Sequence, residues 1–198
     1  MDGPETRQAG EAAEPPPART GDVVRDARDA RDADPGRTAA LVRAAQRGDQ
    51  LAVSELLELL TPYVRRLCGP IALADGADAT QEALIAVFRH LRQLHEPAAL
   101  FGWVRSIAVR EAVRYVRRVA RCVPADLSEL PSPDDPQLAS DVRDVLARLS
   151  PEHRAVLVLR DLEGLDERAT AELLGVAAGT VKSRLSRARL GFRRAWQQ

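Results

Sequence analysis

The chain has 198 residues, room for one or two small domains. Its hydrophobic fraction of 45% can build real cores, but aromatics are only 4% and Ala, Leu, Arg and Glu dominate, which favours helix over sheet and predicts an all-α protein. A formal net charge of zero would exclude a nucleic-acid binder if the charge were spread evenly, and it is not. Residues 38–122 hold 12 basic and 8 acidic residues and residues 151–198 hold 9 and 6, whereas residues 1–37 hold 6 and 9 and residues 123–150 hold 2 and 6. Two basic blocks thus alternate with two acidic ones. Of the 29 basic residues all but Lys182 are Arg, a mark of GC-rich coding DNA and the side chain best matched to phosphate and guanine. No apolar run reaches the roughly 18 residues of a membrane span, and no apolar segment opens the chain as in a signal peptide, so a cytoplasmic protein is expected. Cys68 and Cys122 lie far apart without metal-ligand spacing and are expected to be structural or incidental thiols, with no metal and no cofactor.

Residues 1–37 join EPPPART to RDARDARDAD, rich in charge and poor in large apolar groups. Such a segment cannot bury enough surface to offset its ordering entropy and is expected to be disordered; the alternative is a partner-binding tail whose RDA triplets form a transient helix. From Ala39, LVRAAQRGD reads as a short helix closed at Gly48, and LAVSELLELL continues with apolar residues on most of its circumference. Pro62 is expected to break or restart that helix. Tyr63, Val64, Leu67 and Ile71 carry the apolar face onward, and after the loop ALADGAD the expected N-cap is Asp78. The next helix, ATQEALIAVFRHLRQL, places Thr80, Leu84, Val87, Phe88, Leu91 and Leu94 at helical spacing. Asp78, Gln81 and Glu82 lie at its start, off that stripe, where acids either complement the helix dipole or form a docking surface.

After Pro97, PAALFGWVRSIAVREAVRYVRRVAR repeats Phe101, Val104, Ala108, Ala112, Tyr115 and Val119 at intervals of three and four, an expected buried face. Trp103, Arg110, Arg114, Arg117 and Arg121 align beside it, with Ile107 and Arg118 at the edge. A row of arginines aligned with a Trp suits a groove that tracks phosphates past an aromatic platform; a solvated face with Trp103 packed into the core stays open as the alternative. Only Glu111 on this helix offers those arginines a partner.

Residues 122–136, CVPADLSELPSPDDP, carry four prolines and four acids and read as an extended linker between a domain at 38–121 and another at 137–198. Beyond it Leu138, Val142, Val145, Leu146 and Leu149 make an amphipathic helix. Ser150 and Pro151 form an N-cap and first-turn pair that starts PEHRAVLVLRDLEG, a helix ended at Gly164. DERATAELLG then gives a short helix stopped by Gly175, and GVAAGTVKSRLSRARLGFRRAW a longer basic one. In the latter Val181, Leu185, Ala188, Phe192, Ala195 and Trp196 form one apolar stripe, while Lys182, Arg184, Arg187, Arg189, Arg193 and Arg194 occupy the flanks without an intervening acid. Helix, tight turn, longer basic helix is the pattern of a helix-turn-helix, whose second helix enters the major groove.

These segments also carry a resemblance. DGADATQEALIAVFRHL is similar to region two of bacterial sigma factors of the extracytoplasmic-function (ECF) subfamily. FGWVRSIAVREAVRYVRR resembles the adjoining part of that region, with Trp103, Ile107, Ala108, Arg117 and Arg118 in register. LSPEHRAVLVLRDLEGLDERATAELLGVAAGTVKSRLSRAR is similar to region four. The resemblance covers about residues 38–196 and implies two helical domains joined by a flexible acidic linker. It implies that region two binds the β′ clamp helices of RNA polymerase through Asp78, Gln81 and Glu82. It implies that Trp103, Arg110, Arg114, Arg117, Arg118 and Arg121, with the loop Leu94 to Leu100, capture the melted minus-ten promoter element. Region four, which also meets the β flap, would read the minus-thirty-five element with Ala178, Gly179, Thr180, Val181, Lys182, Ser183, Arg184 and Arg187, and an anti-sigma partner is implied as well. The chain departs from the family pattern at Arg110 and Arg114, where Asn and Asp are usual, in thinning an acidic cluster to Asp75 and Asp78, and at Thr170, whose hydroxyl is expected to bond back to the preceding turn.

His90, His95 and His153 are scattered, and neither a Ser/His/Asp set nor a Gly-rich phosphate loop occurs, so no enzymatic activity is expected. Two rival readings are a stand-alone helix-turn-helix regulator, which needs neither the Gln81-Glu82 pair nor the Trp103 and arginine face, and a helical adaptor without DNA contact.

Overall fold

The computed structural model describes residues 34–122 and 137–196, the side chains of 122 and 137–140 excepted, and every element among these residues is helical. In chain order they are α1 (Pro35–Gln46), α2 (Gln50–Ala72), α3 (Gly76–His90), α4 (Leu100–Cys122), α5 (Gln137–Ala147), α6 (Pro151–Leu157), α7 (Glu167–Leu174) and α8 (Ala178–Trp196). Short 3-10 turns lie at Leu73–Asp75, Leu91–Gln93 and Pro97–Ala99, and a π-helical turn at Val158–Leu162. The expected disorder of the tail up to residue 33 and the expected linker from 123 to 136 lie outside the described residues. The tail's last residues, however, belong to α1: Pro35 sits in its first turn and Asp34 caps it, accepting from the Gly36 N–H at 2.9 Å.

Pro62 does not break its helix. α2 runs 23 residues through both Pro62 and Pro70, started by Asp49, whose carboxylate accepts from the N–H groups of Leu51 and Ala52. A proline inside a helix costs about 3 kcal/mol. Leu60, Tyr63, Val64 and Leu67, all fully buried around it, each return about 1.5–3 kcal/mol, so packing outweighs the lost backbone bond. Asp78 likewise is not an N-cap. α3 begins at Gly76, placing Asp78 within the first turn, where its carboxylate accepts from Tyr115 Oη at 3.3 Å.

α2, α3 and α4 pack together with α1 laid across α2. Thr80, Leu84, Val87, Leu91 and Leu94 are buried, as are Val104, Ala108 and Ala112. Phe101, Tyr115 and Val119 are only half-buried, while Ile107, expected at the edge of the arginine face, is buried together with Val109. Gln46 Nε2 at the end of α1 donates to Leu91 O (3.0 Å) and Leu94 O (2.8 Å) and so fixes the turn leading to α4. Burial pushes the Cys68 thiol up to about 12, the state of an inert core group.

In the second half α8 packs on α5, α6 and α7. The halves are not separate bodies, because Ala155, Val158 and Leu159 belong to the same buried cluster as α2, α3 and α4. Arg154 of α6, 5% exposed, donates from Nε to Ile71 O at the end of α2 (2.7 Å) and from Nη1 to Leu149 O (2.7 Å) and Leu146 O (3.3 Å).

Candidate nucleic-acid interface

The helix-turn-helix is built by local chemistry. Asp166 caps α7 by accepting from the Ala169 N–H (2.7 Å), and Thr170, fully buried, donates from its hydroxyl to Asp166 O (2.8 Å), as its position suggested. Gly175 ends α7 in the left-handed region at φ 64, which glycine adopts without a Cβ penalty. The Val176 N–H then bonds back to Ala171 O (3.1 Å), and α8 starts at Ala178. Such a turn sets the angle of α8 against α7.

Val181, Leu185 and Ala188 are the buried side of α8. Val181 therefore leaves the set of expected DNA contacts: it is fully buried in a small cluster with Val156, Ala171 and Leu185, and supports the contact face from beneath. Ala178, Gly179, Lys182 and Arg187 are exposed, and Thr180, Ser183 and Arg184 are half-buried, so they line the solvent side of α8 from its middle back to its N-terminal end. That end carries the positive pole of the helix dipole. Lys182, Arg184 and Arg187 are in no ion pair with a described residue, which leaves their charge available. Behind them His153 is held below the usual histidine range by burial, then by Arg184 and Arg187. Arg189, by contrast, donates to Asp161 in an exposed pair.

On α4, Arg110, Arg114, Arg117, Arg118 and Arg121 all reach solvent. Trp103 is half-buried and packs against the core, with the rest of the side chain open to solvent. The arginines find more partners than Glu111. Arg110 Nε donates to Ser106 O (2.8 Å), Arg121 Nε to Arg117 O (3.0 Å), and Arg114 pairs with Glu111. Arg118 donates to Glu82 of α3 at 2.6 Å and lies 5.0 Å over the Tyr115 ring. Arg117 donates to Glu152 of α6. Burial alone would raise the Glu152 carboxyl, but a backbone hydrogen bond together with Arg117 and Ser150 brings it below its ordinary value. Exposed pairs of this kind contribute only about 0–1 kcal/mol each, so phosphate groups can displace them.

The expected docking trio is divided by the same seam. Asp78 and Glu82 are engaged by Tyr115 and Arg118 of α4, whereas Gln81 is exposed. The structure also joins a group that no spacing announced. Glu163, whose side chain is fully buried, accepts from Tyr63 Oη (3.1 Å) and Arg105 Nη1 (3.3 Å) and pairs with Arg66. Its partners are 58 to 100 residues away in the chain.

Two family models match the chain, Sigma-70 region 2 at residues 52–122 and Sigma-70, region 4 at residues 139–190. The ECF RNA polymerase sigma factor SigM of Mycobacterium tuberculosis is 33% identical over 157 residues, covering 76% of this chain and 80% of that protein. SigE of Mycolicibacterium smegmatis is 35% identical over 163 residues, covering 74% of this chain and 63% of that protein. Among solved structures, the sigma factor RpoE of Bartonella quintana in complex with the anti-sigma factor NepR shares the fold, with a TM-score of 0.57 at 22% identity over 73% of this chain and 96% of that one.

Proposed function

The chain belongs to the ECF sigma factors of bacterial RNA polymerase, and from that premise we propose that its two basic surfaces divide promoter recognition between them. The exposed N-terminal face of α8, with Lys182, Arg184 and Arg187, reads the upstream minus-thirty-five element in the major groove. The arginine face of α4, continued by the turn that Gln46 anchors, holds the melted minus-ten element. Gln81, Asp78 and Glu82 at the start of α3 meet the β′ clamp helices, region four meets the β flap, and an anti-sigma protein is the natural antagonist. The chain works beside polymerase and DNA in the cytoplasm, and its role needs no catalytic group of its own.

The observation that carries this reading is the pairing of a capped helix-turn-helix, its basic N-terminal face exposed, with a second arginine face on a separate helix. A stand-alone regulator requires only the first. In vitro transcription with core RNA polymerase tests it: the chain is expected to direct initiation from a specific start site while binding duplex promoter weakly by itself. Tight operator binding without polymerase, and no transcript with it, would refute the proposal.

A further inference from the structure

α6 and α8 run antiparallel. At one end of their contact Gly191 passes so close to Leu149, just ahead of α6, that a Cβ on Gly191 would stand 2.8 Å from Leu149 Cδ2. At the other end Val156 is buried with Val181 and Leu185, and Leu157 packs against the same group. Residues three and four apart share a helix face, so His153, three before Val156 and four before Leu157, lies on the face that α6 turns to α8. It meets the middle of α8, where Arg184 and Arg187 act on it. His153 and Arg184 are half-buried and Arg187 is exposed, so all three reach the solvent side.

Three basic side chains thus converge from two helices without an acid of their own. Arg184 and Arg187 are in no ion pair with a described residue. Glu152, the carboxylate that acts on His153, accepts from Arg117 of α4. Arg154, next along α6, turns away to Ile71 O and Leu149 O. Burial and the two arginines oppose a charged imidazole here, so the free chain keeps His153 neutral at neutral pH.

An anion reverses that balance. A phosphodiester set among the three groups pairs with the arginines, offsets their repulsion of the imidazole and accepts the N–H that protonation adds. Resting on the reading of α8 as the helix that enters the groove, we propose that His153 is a further contact to the phosphate backbone of the upstream duplex, supplied by α6 from outside the helix-turn-helix, and that it takes up a proton as the duplex arrives. Binding that raises proton affinity is tightened as pH falls. The sign is opposite to that of folding, which the same histidine weakens in acid.

Two measurements test the contact. The chain has three histidines, His90, His95 and His153, so imidazole proton resonances of the full chain, assigned with His153→Gln, follow His153 by itself. Its titration midpoint is expected to rise when a duplex of non-promoter sequence is added at low salt, because a phosphate contact ignores sequence. The second measurement is promoter binding by holoenzyme reconstituted with core polymerase, across a salt series at about pH 6 and about pH 8. One more neutralised phosphate steepens the fall of log affinity with log salt by about 0.9, or about 8-fold in affinity per tenfold change in salt. Wild type is expected to exceed His153→Gln by that slope at about pH 6 and to match it at about pH 8. His153→Lys keeps its charge throughout and is expected to show the steeper slope at both, which a merely structural histidine would not produce. Equal slopes of wild type and His153→Gln at about pH 6 overturn the contact, as does a His153 midpoint that saturating duplex leaves unmoved. A midpoint that rises with duplex while the holoenzyme selects no start site upholds the phosphate contact and removes the promoter reading instead.

Discussion

Replacing Arg154 by Met isolates what joins α6 to the end of α2. Met matches the aliphatic stem of Arg and removes the donors that serve Ile71 O and Leu149 O at 2.7 Å and Leu146 O at 3.3 Å. Hydrogen bonds from a charged donor contribute about 1.5–3 kcal/mol each, so the two short ones represent about 3–6 kcal/mol. Part of that returns because a guanidinium no longer has to be desolvated, and burial does hold the Arg154 group below its ordinary pKa. The net loss expected is about 3 kcal/mol, since the carbonyls of Ile71 and Leu149 remain buried without this donor. For a protein of this size that lowers Tm by about 6–12 °C, read by thermal circular dichroism at constant pH and salt. Arg154→Lys keeps the charge and a single reaching nitrogen, and is expected to fall between. A Met variant melting within about 1 °C of the wild type would refute the reasoning, because it would mean that water serves these carbonyls equally well.

Val181→Ala and Lys182→Ala separate support from contact on adjacent residues of α8. Removing two buried methyl groups at Val181 is expected to lower stability by about 2 kcal/mol, measured by urea unfolding, with promoter preference retained. Lys182→Ala is expected to leave the unfolding midpoint unchanged and to reduce use of the upstream element by about 5- to 150-fold, the range of a base-edge contact of about 1–3 kcal/mol, or to weaken all sequences alike if the contact is to phosphate. His153 gives a pH signature: its depressed pKa means that the unfolded chain binds the proton first, so stability present above about pH 6.5 is lost as pH falls below it. Urea midpoints between about pH 7.5 and 5.5 are expected to fall more steeply in the wild type than in His153→Gln, and parallel curves would dismiss the effect.

Helix periodicity made most of the architecture legible in advance. The stripes from Thr80 to Leu94 and from Val181 to Ala188 follow from spacing alone, because a helix places residues three and four apart on one face whatever surrounds it. Ser150, Gly164 and Gly175 as boundaries follow for the same reason, since capping acts within a few residues. Pro62 escaped that logic: its local preference is to end a helix, and only the burial of Leu60, Tyr63, Val64 and Leu67 overrides it. Val181 stood both on the apolar stripe and among the expected DNA contacts, and only its packing against Val156, Ala171 and Leu185 decides between the two.

By itself, then, the sequence determined the all-helical class, the two basic blocks, the helix-turn-helix and the family pattern that spans them. All of these rest on interactions between near neighbours or on composition. Tertiary structure alone decided that the arginine row of α4 is partly occupied by Glu82 and Glu152, that Arg154 ties the second half to α2, and that Glu163 meets Arg66 across 97 residues of chain. An isolated acid or arginine carries no mark of its distant partner. Coulomb attraction and hydrogen bonding select such pairs only once packing has brought the helices together and removed the water between them.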